Sequence, residues 1–436
     1  MSPAIISLII FGICVVLFIW NKLPIAVTAL LGLVAMLLFN VVSFGDAFKN
    51  FGGSTIVLIC AMMVVGRATF DTGLAQLIGN KVIGLARGNE RLIIIYSTAI
   101  TAIISAFLSN IATLAIMISI LTGVASANEK VKFKNVIMPV SMASVIGGAA
   151  TLVGSTTQLT ANGLLEEFLG KGFGFFTFSV PGFLIVAVLV AYVGFIGYPL
   201  GKKIWGKRDD YALLPATSVE TANNDAAKQY KKSKMIVMAV IFLLTLVLFV
   251  LCETIEKWIP AFNVGTVALI SALACVLSGC ISHKEALKSI NWNLALWFCA
   301  CLGIAAGLNS SGGGELLANW FIGLFGDNIS PMVLYAAFIF LTVVLTQFLS
   351  NSTVLTIILP VVFSITTNMG WNTYSFAVGI TIAGAMAVAT PLANTTIGMS
   401  MVAEYKFGDY LKYAGPMTLI AMLILIFLLP VLFPLV

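Results

Sequence analysis

Two stretches of the chain, 92–127 and 331–366, are each 36 residues long and contain no Asp, Glu, Lys or Arg. As a single straight helix each would be roughly 54 Å long, well beyond a hydrocarbon core of about 30 Å, yet each is short for two full crossings and a turn. A helix-turn-helix hairpin that dips into a membrane and returns to the same side fits both. The rest of the chain agrees with a lipid setting, being 60% hydrophobic and only 9% charged. Apolar runs long enough to cross as helix recur at 4–20, 24–43, 53–72, 136–162, 176–200, 235–252, 263–281, 293–308, 373–400 and 413–434. Lipid admits helices or closed barrels, and runs of this length are not the short alternations of a barrel. The expected fold class is therefore an all-α polytopic membrane protein with about ten transmembrane helices plus two re-entrant hairpins.

Charge placement tests the hairpins, because Lys and Arg in short loops favour the cytoplasmic side. With the first residue outside and both long stretches re-entrant, 19 of the 23 basic residues fall inside; only Lys49, Lys171 and Lys257 lie outside, and Arg67 stays within a span. Counting 92–127 as one crossing would send Lys130, Lys132 and Lys134 outside and reverse the sides of many later loops. The first run, with no basic segment before it and no small-residue cleavage site after it, reads as a retained span. Ten crossings then put both termini outside. The seven cysteines are odd in number, lie mostly in apolar runs and have no CxxC spacing, so they read as reduced packing residues. The single His283 sits beside Lys284 and Glu285 in a charged turn, which argues against a His-based metal site or proton relay.

Polar landmarks repeat. Asp46-Ala47-Phe48-Lys49 matches Glu285-Ala286-Leu287-Lys288 at an offset of 239, Ser109-Asn110 matches Ser350-Asn351 at 241, and Thr156-Thr157 matches Thr395-Thr396 at 239. Each copy holds five crossings, an odd number, so the copies are expected to be inverted, an arrangement many secondary transporters share. The expected domains are a first repeat over 1–205, a linker over 206–234 and a second repeat over 235–436. The basic residues of 202–234 mark a solvated cytoplasmic connector, with no nucleic-acid partner.

Ser109-Asn110 and Ser350-Asn351 lie at or close to the hairpin midpoints, where each turn belongs. A turn at membrane depth frees backbone groups and presents the N-terminus of the returning half-helix, suited to an oxyanion. Four residues before each pair stands another hydroxyl, Ser105 and Thr346, on the same helix face. With Asn side chains and freed carbonyls these offer neutral oxygens to a small alkali cation; the plainer alternative is that each hydroxyl bonds back to its own helix. Downstream, Gly147-Gly148-Ala149-Ala150-Thr151-Leu152-Val153-Gly154-Ser155-Thr156-Thr157 and Ala389-Thr390-Pro391-Leu392-Ala393-Asn394-Thr395-Thr396 interrupt matching spans. Neither hairpin offers a carboxylate for a proton relay, which favours Na⁺ over H⁺ coupling and leaves uncoupled exchange open. Arg67 and Asp71, spaced i and i+4, read as a snorkelling structural pair.

In these motifs the sequence resembles the divalent anion:sodium symporter family, the INDY-type carriers of dicarboxylates, citrate and sulfate, over nearly its whole length. That family carries Ser-Asn-Thr at each tip, where this chain has Ser109-Asn110-Ile111 and Ser350-Asn351-Ser352. Thr151-Leu152-Val153-Gly154-Ser155 and Ala389-Thr390-Pro391 are similar to its two loop motifs. Thr156-Thr157-Gln158 and Leu392-Ala393 replace its usual prolines, and Ile111 replaces a hydroxyl. The resemblance implies one Na⁺ site near Ser105, Asn110 and Gly154, and a second near Thr346, Asn351 and Ala389. It implies substrate contacts from Ser109, Asn110, Ser155, Ser350, Asn351, Ser352, Thr390 and Pro391. It also implies a homodimer whose transport domains move like an elevator. The expectation is Na⁺-coupled carriage of small divalent anions, C4-dicarboxylates first, with an exchanger or a sulfate carrier of the same fold as the alternative. A channel would call for a continuous polar path, and an enzyme for a nucleophile with its base or a metal set, and neither is evident.

Overall fold

The computed structural model describes residues 2–436 apart from 21, 87, 129, 206–230, 260, 317–318, 320–329 and 393. The expected linker therefore lies almost wholly outside the described residues. Among those described the fold is entirely helical. Its first part comprises α1 (Pro3–Trp20), α2 (Ile25–Leu38), α3 (Phe44–Phe48), α4 (Ser54–Asp71), α5 (Leu74–Gly84), α6 (Glu90–Ser105), α7 (Asn110–Ala127), α8 (Phe133–Gly148), α9 (Thr156–Leu169), α10 (Ser179–Tyr192) and α11 (Tyr198–Trp205). Its second comprises α12 (Lys232–Glu256), α13 (Val264–Leu277), α14 (His283–Ser289), α15 (Trp292–Ser310), α16 (Pro331–Leu345), α17 (Asn351–Asn368), α18 (Thr373–Gly384), α19 (Thr395–Met399), α20 (Phe407–Phe427) and α21 (Leu429–Leu432). Among the described residues, seven helical stretches are at least 18 residues long and apolar enough to cross a membrane, and five shorter apolar helices join them. The chain is a multi-pass membrane protein.

Both long uncharged stretches are hairpins, α6–α7 turning through 106–109 and α16–α17 turning through 346–350. Both interrupted spans are broken: α8 stops at Gly148 and α9 starts at Thr156, while α18 stops at Gly384 and α19 starts at Thr395. The acidic landmarks begin short helices. Ser43 Oγ accepts from Asp46 N at 3.1 Å, and Ser282 Oγ accepts from Glu285 N at 3.3 Å while the Glu285 carboxylate reaches back to Ser282 N, a capping box.

Some boundaries differ from the apolar runs. The last long helix starts at Phe407, six residues before the run at 413, because the Asp409 carboxylate accepts from Lys406 N at 2.8 Å and caps the turn despite its polarity. The run expected over 176–200 continues to Trp205 through a widened π turn at Val193–Gly197. Pro199 accounts for that turn, since it lacks an N–H and its ring crowds the carbonyl one turn back. Arg91 Nε donates to the Gly194 carbonyl at 3.0 Å and so satisfies part of the disturbed backbone. Helix α5 has no counterpart among the expected spans.

The cysteines are free and mostly buried. Arg67 Nε and Asp71 Oδ2 lie 2.9 Å apart with the arginine side chain 55% exposed, the partly solvated pair that its spacing predicts. At the far end of α9 a polar cluster ties it to α4. Glu166 accepts from Ser54 Oγ at 3.1 Å and Thr55 Oγ1 at 2.7 Å, Asn162 Nδ2 donates to Thr55 Oγ1 at 2.8 Å, and Glu167 accepts from Asn50 Nδ2 at 3.0 Å. Lys49 Nζ stands 3.6 Å from Glu167, at a cavity of about 220 Å³.

Candidate substrate and cation site

Several buried hydroxyls in the hairpin helices bond back to their own turn. Thr98 donates to Ile94 O at 2.7 Å, Thr101 to Ser97 O at 2.5 Å and Thr342 to Phe338 O at 2.7 Å. Ser105 and Thr346 do not. Ser105 Oγ donates across to Ser144 O on α8 at 2.6 Å, and Thr346 Oγ1 donates across to Gly384 O on α18 at 2.8 Å. Each also meets the Asn of its own tip: Ser105 Oγ lies 2.8 Å from the Asn110 amide and Thr346 Oγ1 lies 3.1 Å from Asn351 Oδ1. Both hydroxyls are fully buried. The two half-sites thus share one plan, in which the last turns of two helices meet the first turn of a third.

In the first half-site the inward atom of the Asn110 amide sits 2.8 Å from Ser105 Oγ, 2.9 Å from Gly154 O and 3.1 Å from Ser144 O. All three neighbours are oxygens. A nitrogen in that position donates to them, whereas the amide oxygen there completes a cluster of neutral oxygens. Ser144 Oγ donates to Asn110 O at 2.8 Å, and Thr151 Oγ1 donates to Ala106 O, so the broken span 149–155 is laced to the hairpin turn. Two glycines allow this approach. A Cβ on Gly148 would collide with the Asn110 amide, and one on Gly154 would lie 2.5 Å from Gly148 O and 2.7 Å from Ala106 O.

In the second half-site Thr390 Oγ1 donates to Gln347 O and is turned into the hairpin. Ala389 N donates to Gln347 Oε1 at 3.0 Å. Asn351, Ser352, Ala389 and Thr390 are buried, Pro391 is half-buried, and Ser350 is exposed. Ser109 is likewise exposed and Asn110 half-buried, with Ile111 47% exposed beside them.

The halves join through Ser352 Oγ, which donates to Thr156 Oγ1 at 3.2 Å. Helix α9 packs on α17, and α19 packs on α7. Four helix N-termini are grouped by these contacts. Ser155 Oγ caps α9 by accepting from Thr157 N at 3.3 Å, and Asn394 Oδ1 caps α19 by accepting from Thr396 N at 2.9 Å. Ser109 and Ser350 are also N-caps, yet their side chains cap nothing and stay exposed. Of the candidate site residues, Ser105, Asn110 and Gly154 meet in the first half-site and Thr346, Asn351, Ala389 and Thr390 in the second; Ser155 and Ser352 lie at the starts of α9 and α17, while Ser109, Ser350 and Pro391 are placed beside them by chain position alone.

Sequence reasoning passed over Ser144, Gly384 and Gln347. The last of these carried a signal, being the one Gln in the charge-free stretch from Asn328 to Ala403.

Residues 15–381 match the CitMHS family, described as citrate transporter. The chain belongs to the citrate transporter family. It is a secondary transporter and not an enzyme. This family member is 26% identical over 401 residues to an uncharacterized transporter of Haemophilus influenzae, covering 89% of this chain and 83% of that protein. It is 25% identical over 406 residues to the sodium-dependent dicarboxylate transporter SdcS of Staphylococcus aureus, covering 86% of this chain and 74% of that one. Two solved structures share the fold. The YdaH transporter of Alcanivorax borkumensis superposes with a TM-score of 0.64 at 15% identity, covering 99% of this chain and 98% of its own, and Neisseria gonorrhoeae MtrF with 0.63 at 12%, covering 98% and 94%.

Proposed function

We propose that this citrate transporter family member carries small divalent anions, C4-dicarboxylates first, together with Na⁺. The observation that carries the reading is the matched pair of half-sites, each built from neutral oxygens at helix ends. Helix C-termini carry partial negative charge and N-termini partial positive charge. Ser105, Asn110, Gly154 and the Ser144 carbonyl lie where α6 and α8 end, and Thr346, Asn351, Ala389 and the Gly384 carbonyl lie where α16 and α18 end. Those positions suit two alkali cations. The starts of α7, α9, α17 and α19 suit the anion, with Ser109, Asn110, Ser155, Ser350, Asn351, Ser352, Thr390 and Pro391 around it. A bound cation offsets the substrate charge where no Lys or Arg is at hand. The name of the Staphylococcus aureus relative supports this pairing of sodium with dicarboxylate. The family description supports citrate as the second substrate to test.

The same reading makes 1–205 and 235–436 inverted copies joined by 206–234, with both termini outside a cell membrane and an elevator-like exchange of access. A homodimer fits an open apolar groove of about 490 Å³ between α4, α13, α14 and α15, lined by Val57, Val64, Leu273 and Leu287.

Uptake of labelled succinate, citrate and sulfate into proteoliposomes, with and without an inward Na⁺ gradient, tests the proposal. Concentrative succinate uptake only with the gradient is expected, and Asn110→Ala or Asn351→Ala should abolish it in protein that still assembles. Uptake that instead requires internal substrate and ignores Na⁺ would establish an exchanger. Unsaturable current would establish a channel.

A further inference from the structure

The two half-sites differ at the position that follows the cross-linking hydroxyl. Gln347 follows Thr346 in the second hairpin, where the first hairpin has Ala106 after Ser105. Gln347 is 8% exposed, and its side-chain amide is bonded through both its nitrogen and its oxygen. Nε2 donates to Val343 O at 2.9 Å on its own helix and to Met386 O at 3.0 Å, while Oε1 accepts from Ala389 N at 3.0 Å. Its backbone carbonyl accepts the Thr390 hydroxyl. One residue thereby holds Met386, Ala389 and Thr390, the segment just beyond the C-terminus of α18. In the first half-site Ala106 supplies only the backbone part of this, as acceptor for Thr151 Oγ1.

We infer that Gln347 is a positioning residue that pre-organises the second cation site and makes the two sites unequal. This rests on the sodium-coupled reading above. Gln347 is assigned no place among the cation's ligands: both amide donors face carbonyls and its oxygen accepts from Ala389 N. Its effect is to fix the 385–390 backbone against the hairpin, so that the carbonyls beyond α18 are set before a cation arrives. A site held in its binding geometry binds more tightly than one that must be ordered on binding. The first site has no such side chain, and its Asn110 amide must present oxygen rather than nitrogen to a cation. The second site is therefore the tighter of the pair.

A neutral amide is required at this position. Two carbonyls need donors and one N–H needs an acceptor, and only Gln supplies all three at this length. A carboxylate could accept from Ala389 N but would oppose the carbonyls of Val343 and Met386. Methionine keeps the length and loses all three bonds.

The test is a Na⁺ titration of succinate uptake by Gln347→Met and the unaltered protein in proteoliposomes, beside a Na⁺ titration of thermal stability in detergent. Gln347→Met should raise the Na⁺ concentration for half-maximal uptake by about fivefold or more, the effect of losing the inter-segment bonds, with the rate at saturating Na⁺ within about twofold. The Na⁺ midpoint for stabilisation should move in step. Should Gln347→Met fail to assemble, Gln347→Asn, a neutral amide one methylene too short to reach all three partners, serves with a smaller shift expected. An unchanged Na⁺ midpoint would overturn the inference, as would a fall in rate at unchanged midpoint, the mark of a merely structural side chain. An unaltered protein that responds to Na⁺ in neither measurement would bring down the coupling reading and this inference together.

Discussion

Gly154 is where a single atom decides whether the first half-site can form. Three backbone oxygens, from Gly148, Ala106 and Ser105, lie 2.5, 2.7 and 2.9 Å from the place a Cβ would take. None is the tip of a flexible side chain, so the clash cannot be relieved by a rotamer change. Gly154→Ala is expected to cost about 1–3 kcal/mol of stability, as overpacking does, and to push the 149–155 segment off the hairpin turn. Uptake should fall below detection while the protein still inserts; a thermal melt that loses its Na⁺ response would locate the damage at the cation site. The Ser-Asn tips were readable from the sequence because a polar pair midway along an uncharged run marks a turn more readily than a packing position. Ser144 was not, because a serine on a membrane helix is ordinary until α8 is seen to cross α6 at that turn. Gln347 stood out by composition, but its role depends on Met386 and Ala389 lying opposite it, which no spacing along the chain reveals.

Helix α9 is a rod between two kinds of chemistry. Its first residue meets the tip of the second hairpin, and ten residues later, about 15 Å along the axis, its last turn holds the Glu166 carboxylate bonded to α4. Glu166→Ala would leave the Ser54 and Thr55 hydroxyls without their acceptor in a partly buried setting. The expected loss is about 1–3 kcal/mol of stability, seen as a lowered melting temperature, whereas Glu166→Gln keeps one acceptor oxygen and should lose less. If α9 moves relative to α4 during transport, both variants will also change the maximal uptake rate without changing the Na⁺ midpoint, which separates this contact from the half-sites. The breaks before α9 and α19 were legible from their Gly, Pro and Thr content. The start of α20 and the whole of α5 were not, since hydropathy is blind to a helix opened by a capping acid or one of mixed polarity.

Seen across the molecule, the order of helices repeats from α3–α4–α6–α7–α8–α9 to α14–α15–α16–α17–α18–α19. The polar landmarks carried this order in the sequence because each does something physical at its position. An acid caps a helix, an Asn opens one, and a Thr pair comes after a break. Among the described residues the half-sites contain no titratable side chain. On the proposed reading, helix ends recognise the anion without an ionisable group of their own, so the acid sensitivity expected of the site is that of the ligand. As pH falls toward the carboxylate range, the succinate dianion takes up its first proton above the ordinary value of about 4, because its second carboxylate holds that proton, and so loses the doubly charged form that the proposed site favours. Succinate uptake should therefore hold level near neutrality and decline toward acid. Sulfate, if carried, stays doubly charged over the same range and should show a flat profile; a rise in succinate uptake on acidification would mean that protons, not the ligand's own charge, set the rate.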